Sequence, residues 1–322
     1  PVVSKKKKKM LTQRLALLQQ QLLPAASSSS SSLAASSSSA EHSKSDDDIV
    51  VISALRTPLG RGRRGTLKDT TPDELLRPLF QKVNDEFFSK MKDAGSEVGD
   101  VVVGTVLPPG GFGATQVRVA QLLAGFPKEI PCSTVNRQCV SSIQSIVQVA
   151  GAIKAGLYEC GLACGVESMS MNWNKPMPLD QINPNAMEHD LARGCYMSMG
   201  MTSEEVAKRY KISRAQQDAA AVESHRKAHA ATTAGYFKDE IVPVTVNVRD
   251  KEGNEKKVTL DRDEGIRPNT TAERLAKLKP AFIEEGTTTA GNASQVSDGA
   301  AVLLVASRRF AKRYNFPILG RF

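Results

Sequence analysis

The sequence predicts an α/β fold, a parallel sheet with covering helices and a polar insertion before its last strand. Three observations carry this. From Asp48 to Val166, short apolar runs alternate with segments of helical period, the pattern of consecutive βαβ units. The 322 residues are 40% hydrophobic, enough for two domains or for one domain with a large insertion. From about Asn172 to Glu285 the chain turns polar, with Pro and Gly breaks, and an apolar run at Gly299–Ala306 then returns it to the sheet.

Residues 1–48 read as a targeting and low-complexity segment. Lys5 to Lys9 is a charge run, and the serine runs 27–32 and 36–39 have no means of building a core. Met10 is the expected start of translation, with the nine residues before it upstream sequence. Behind it, Arg14-Leu15 and Gln21-Leu22 are separated by five residues, and Leu15, Leu18 and Leu22 share one face of a helix. This resembles a type-2 peroxisomal targeting signal. A mitochondrial or plastid presequence, also basic and Ser-rich, is the competing reading.

The body follows in order. Ile49–Leu55 is a strand stopped at Arg56-Thr57-Pro58. Thr71-Pro72-Asp73 opens a helix predicted to reach Ala94. Asp100–Leu107 is a strand, Ala114–Ala124 a helix ending at Gly125, and Ser133–Gln138 a strand. Ile143, Ile146, Val147, Ala150 and Ile153 then recur at helical spacing up to Gly156, and Glu159–Val166 is the next strand. In the insertion, Ser203–Tyr210 and Arg214–Ala234 read as helices, and Ser307–Asn315 is a last helix after the returning strand.

Cys139 falls where strand gives way to helix. Free N–H groups and partial positive charge at such a terminus favour a thiolate, the form of cysteine that attacks carbonyl carbon. The plain alternative is a small core hydrophobe. The run Val135-Asn136-Arg137-Gln138 before it is polar where a core strand should be apolar.

The stretch Thr134–Cys139, TVNRQC, resembles the active-site segment of the thiolases, and within them the peroxisomal 3-ketoacyl-CoA branch. IVVISALRTPLGRGRRG and DVVVGTVL resemble the first strands of that family. Met199 to Glu204, SRAQQDAAAVESHRKA, FKDEIVPV, Asp263 to Pro268, LAKLKPAF and Thr289 to Ser294 resemble pieces of its loop domain, in family order. Val140 and Ser142 depart from the small residues the family carries after its cysteine, commonly Ser-Ser-Gly. A ketosynthase-type condensing enzyme shares the fold and a cysteine but not the loop-domain match.

The resemblance implies a thiolase-like fold: an N-terminal domain over 49–171 and 287–316, a coenzyme A-covering loop domain over 172–286, and, at 317–322, the opening of a C-terminal half that is not in this sequence. It implies Cys139 as the nucleophile that takes the acyl group of a 3-ketoacyl-CoA, acetyl-CoA leaving, before coenzyme A collects the acyl group. Met199 and Ser294 would contact coenzyme A, a substrate, and no other cofactor is expected. The family takes its base from a Gly-His-Pro histidine and its second acid/base from another cysteine followed by glycines, and neither motif, nor an Asn-Glu-Ala-Phe, occurs in these 322 residues. Two readings follow: an acyltransferase whose remainder lies outside this sequence, or a short non-catalytic protein that binds acyl-CoA or pairs with full-length subunits. A homodimer, a peroxisomal location and an import receptor for the N-terminal segment are further implications.

Composition bounds the rest. Net charge is +9, of which the first 48 residues hold +3, so the body carries a moderate excess suited to a coenzyme's phosphates. No basic-aromatic platform for nucleic acid is apparent. Five cysteines without paired ligand spacing predict neither a metal site nor a disulfide framework, and no run is long and apolar enough to span a membrane. His225 and His229 stand four apart in the insertion, and exposed surface is their expected setting.

Overall fold

The computed structural model describes residues 43–172, 182–249 and 253–322. The targeting-type segment at 10–22 lies outside the described residues.

The sheet body opens with β1 (Ile49–Arg56) and the two-residue β2 (Gly60–Arg61). Helix α1 (Pro72–Glu86) follows, with Pro72 in its first turn and Asp73 and Glu74 beside the positive end of its dipole. The sequence predicts this helix as far as Ala94. It stops at Glu86 because Phe87, Phe88 and Met91 turn into the core: Phe87 packs edge-on to Phe316 at 5.3 Å and Phe88 lies 4.8 Å from Phe126. Tertiary burial of aromatic rings outweighs helix propensity here. A short α2 (Ala94–Glu97), capped by Asp93, leads to β3 (Val98–Gly104), α3 (Gly113–Leu123), β4 (Cys132–Val135), α4 (Ser141–Lys154) and β5 (Cys160–Ser168).

The insertion contains short helices α5 (Met169–Asn172), α6 (Pro184–Glu188) and α7 (Asp190–Gly194). Two longer ones follow, α8 (Met199–Tyr210) and α9 (Arg214–Thr233). Ser213 and Gln216 close a reciprocal capping box at the start of α9. A hairpin of β6 (Val244–Arg249) and β7 (Glu255–Leu260), absent from the sequence reading, carries the alternation Val244, Val246 and Val248 and tucks Val244 and Leu260 into the main core. A short α10 (Ala272–Ala276) precedes β8 (Ser297–Ser307), α11 (Arg308–Arg313) and β9 (Gly320–Arg321).

The strands lie in the order β4-β3-β5-β8-β1-β9, with β2 beside β8. The sheet is mixed rather than parallel: β3 pairs in parallel with β4 and β5, but β8 runs antiparallel to both β5 and β1. The reason is topological. The insertion leaves from the end of β5 and comes back to that same end, where Ser168 pairs with Asp298, so the returning strand can only run backwards. Residues 317–322, read as the opening of a further domain, lie along β1, with Leu319 N–H donating to Val51 O at 2.8 Å. Arg56 ties the insertion to the body through Asp263, at 2.7 and 3.0 Å, and Glu240, at 2.8 Å.

Candidate active site

The first turn of α4 rests directly on the ends of two strands. Gly104 of β3 and Gly165 of β5 are register partners. A Cβ at Gly104 would fall 2.4 Å from the carbonyl carbon of Ser141, and one at Gly165 would fall 2.7 Å from Cβ of Ser142. Glycine at both places lets the helix start seat itself against the sheet, and the turn before it must then be tight. Gln138 accordingly adopts a left-handed backbone, φ 51°. Ser141 Oγ–H donates to Gln138 O at 2.5 Å while accepting from Arg137 N–H at 2.9 Å, and Gln138 N–H donates to Asn136 Oδ1 at 2.9 Å. Asn136 Nδ2–H in turn donates to Val106 O at 3.2 Å. The polar residues that interrupt the strand pattern before Cys139 are thus the parts of this turn.

Cys139 sits at its tip, two residues ahead of α4, and is exposed. Cys160 and Cys164 are buried in β5, and burial pushes both thiols far up. Cys132 is half-buried, and burial raises it as well. Beside the turn, Glu167 accepts from Val106 N–H at 2.8 Å and Leu107 N–H at 3.2 Å. Burial raises its carboxyl despite those two donors.

A cavity of about 800 Å³ lies in the insertion, between α8, α9 and the loop 291–295. Its size is that of a small-molecule site. Met199 and Ser294 both line it, brought together across 95 residues of sequence. Cys139 is not among its lining residues, so the exposed cysteine and the cavity are separate features of the described chain. Gly291 in this lining makes room for leucines: a Cβ there would meet Leu275 at 2.5 Å and Leu278 at 2.6 Å.

Two features escaped the sequence. His225, expected at the exposed surface, is half-buried, lines the cavity, and accepts from Arg267 N–H through Nδ1 at 3.2 Å. Burial and the neighbouring Arg267 charge lower its pKa. His229 is exposed. The other feature is the buried Glu204. Among the described residues no group of three or more His, Cys, Asp or Glu side chains is placed to hold a metal ion, and no helix is long and apolar enough to cross a membrane.

Residues 49–309 match the family described as Thiolase, N-terminal domain. The chain belongs to the thiolase family. It is 50% identical over 275 residues to the peroxisomal 3-ketoacyl-CoA thiolase 1 of Arabidopsis thaliana, an alignment covering 84% of this chain and 60% of that one. The fold is similar to the dimeric peroxisomal thiolase of Saccharomyces cerevisiae, with a TM-score of 0.78 at 40% identity, covering 86% of this chain and 69% of that one. It is also similar to human mitochondrial 3-ketoacyl-CoA thiolase in complex with CoA, with a TM-score of 0.69 at 35% identity, covering 86% and 69%. The chain therefore spans about three fifths of the length of the curated thiolases it matches.

Proposed function

We propose that this chain is the nucleophile-bearing part of a peroxisomal 3-ketoacyl-CoA thiolase of fatty-acid β-oxidation. The observation that carries the reading is the exposed Cys139 on a turn built by its own polar neighbours, in a chain half identical to peroxisomal thiolases. In the proposed reaction Cys139 Sγ attacks the 3-keto carbon, and the C2–C3 bond breaks. Acetyl-CoA leaves as a carbanion that takes a proton, and the thiol of a second coenzyme A then takes the acyl group from sulfur. Val140, 46% exposed, stands beside Cys139 where the family commonly carries serine, and in this proposal its extra bulk narrows the room for the acyl chain.

Coenzyme A enters as a substrate, not as a resident cofactor. The cavity lined by Met199 and Ser294 suits it in size, and a thiolase of similar fold is described in complex with CoA. A homodimer is proposed from the yeast relative described as dimeric. Import into peroxisomes through a receptor reading residues 10–22 is proposed from the Arg-Leu and Gln-Leu pairs and from the names of the relatives.

For proton transfer the family uses a Gly-His-Pro histidine and a second cysteine followed by glycines, and neither motif occurs in these 322 residues. A general acid or base contributes about 10²–10⁴-fold, so the chain alone should turn over little. The test is an assay with acetoacetyl-CoA and coenzyme A, following loss of the 3-keto substrate. Activity is expected when the C-terminal half of a related thiolase is supplied, and should vanish on Cys139→Ala. Turnover by the complemented chain that survives Cys139→Ala would overturn the assignment, and robust Cys139-dependent turnover by the chain alone would show that the missing groups are not required.

A further inference from the structure

Glu204 lies on α8 and is 6% exposed, yet among the described residues no basic side chain pairs with it. Its carboxylate is met by donors from one short stretch of chain. Oε1 accepts from Thr288 N–H at 2.8 Å and Thr287 N–H at 3.1 Å. Oε2 accepts from Thr287 N–H at 2.9 Å and Thr287 Oγ1–H at 3.0 Å. The seat is shaped for it: a Cβ on Gly286 would lie 2.6 Å from Oε1. Farther along, the buried Asp218 of α9 accepts from Asn292 Nδ2–H at 2.9 Å, and Asn292 Oδ1 accepts from Thr289 N–H at 2.7 Å.

Taking a carboxylate out of water without a counter-charge is costly, and an apolar side chain would fill the same volume at less expense. What the carboxylate supplies is geometry. Two adjacent backbone N–H groups converging on one charged acceptor fix the chain direction of the loop at its root. That loop runs on to Gly291–Gln295 and forms a wall of the cavity, while the helix bearing Glu204 presents Met199 to the same cavity.

We propose that Glu204 is the positioning residue of this cavity, holding the wall that carries Ser294 at its working distance from the wall that carries Met199. The proposal rests on the reading that the cavity takes coenzyme A.

The test is Glu204→Gln in the full 322-residue chain. An amide has one oxygen, and its NH₂ would face the threonine N–H groups. Hydrogen exchange of the amides of 287–295 should quicken while β3, β5 and β8 keep their protection. Calorimetry should show coenzyme A binding about tenfold more weakly, the equivalent of about 1.4 kcal/mol. The alkylation rate of Cys139 should not change, and Glu204→Asp, which keeps the charge, should recover part of the affinity. Should Glu204→Gln not fold, Thr287→Val removes the hydroxyl bond to Glu204, and with it the one Gln217 donates to that hydroxyl, without disturbing the charge, and should give a smaller shift of the same sign. Unchanged exchange at 287–295 overturns the proposal, as does a loss of affinity accompanied by an altered rate at Cys139, which would mark general loosening. If the unsubstituted chain shows no affinity for coenzyme A, the reading of the cavity fails, and the exchange result alone decides whether Glu204 positions the wall.

Discussion

The two faces of the sheet are covered very differently. On one, Val101 and Val103 of β3, Leu162 and Cys164 of β5 and Val302 and Leu304 of β8 meet α1, α3 and α11 in a broad core that includes Phe80, Phe126 and Phe310. On the other, the alternate residues Val102, Ala163 and Val305 meet Val149, Ala150 and Ile153 of α4 in a smaller cluster, with Ile49 and the partly buried Ile146 and Tyr158 beside them. The strands contribute to both faces by the same period-2 rule. The helices make the difference. The filled face takes large aromatic and aliphatic side chains, whereas the thin face is built close, through Gly104, Gly165 and Ala163, so that one helix lies almost on the strands. That closeness is what delivers the start of α4, and with it Cys139, to the strand ends. The outer side of α4 is left in solvent, with Ile143 57% and Val147 47% exposed.

Thiol reactivity should show the largest contrast between the two faces. With iodoacetamide at neutral pH, Cys139 should react on the order of 10²-fold or more faster than Cys160 and Cys164, which face the filled core and react only through opening. Mass spectrometry of timed digests reads this directly. Comparable rates at all three would mean that the filled face is not closed.

Stability should show the next largest. Phe80→Ala removes a fully buried ring that lies tilted against Phe126 at 5.1 Å, and should cost about 3–5 kcal/mol in urea unfolding. A loss below about 1 kcal/mol would mean the broad core is less closely packed than its burial indicates.

The smallest effect is expected outside α4. Ile143→Ser should change unfolding free energy by no more than about 0.5 kcal/mol, because the side chain is already in water. It should still reduce concentration-dependent association, measured by sedimentation, since Ile143, Val147 and Val140 form one exposed apolar strip. If Ile143→Ser instead destabilises the chain as much as Phe80→Ala does, the outer side of α4 is buried in solution, and the contrast between the faces is false.

The main strands and helices of the body were legible in the sequence, because strand and helix periods are local properties of the chain. The sequence placed β1, β3, β5 and β8 and the helices α8 and α9 to within a few residues. It also marked Cys139, because polar residues in a strand position are a local anomaly, here the materials of a tight turn. The β6–β7 hairpin carries a strand alternation in Val244, Val246 and Val248, but it is short and set in a polar segment that masks it.

The rest depends on the tertiary structure, because each of these features joins residues far apart in sequence. The direction of β8 follows from which end of the sheet the insertion leaves and re-enters. Helix α1 ends where Phe316, more than 200 residues later, takes the ring of Phe87. His225 is half-buried because Arg267 comes to it. Glu204 looks in the sequence like an ordinary polar residue on a helix. Its importance comes from Thr287 and Thr288, which no local pattern connects to it, and which reach it only because the whole insertion folds back across α8.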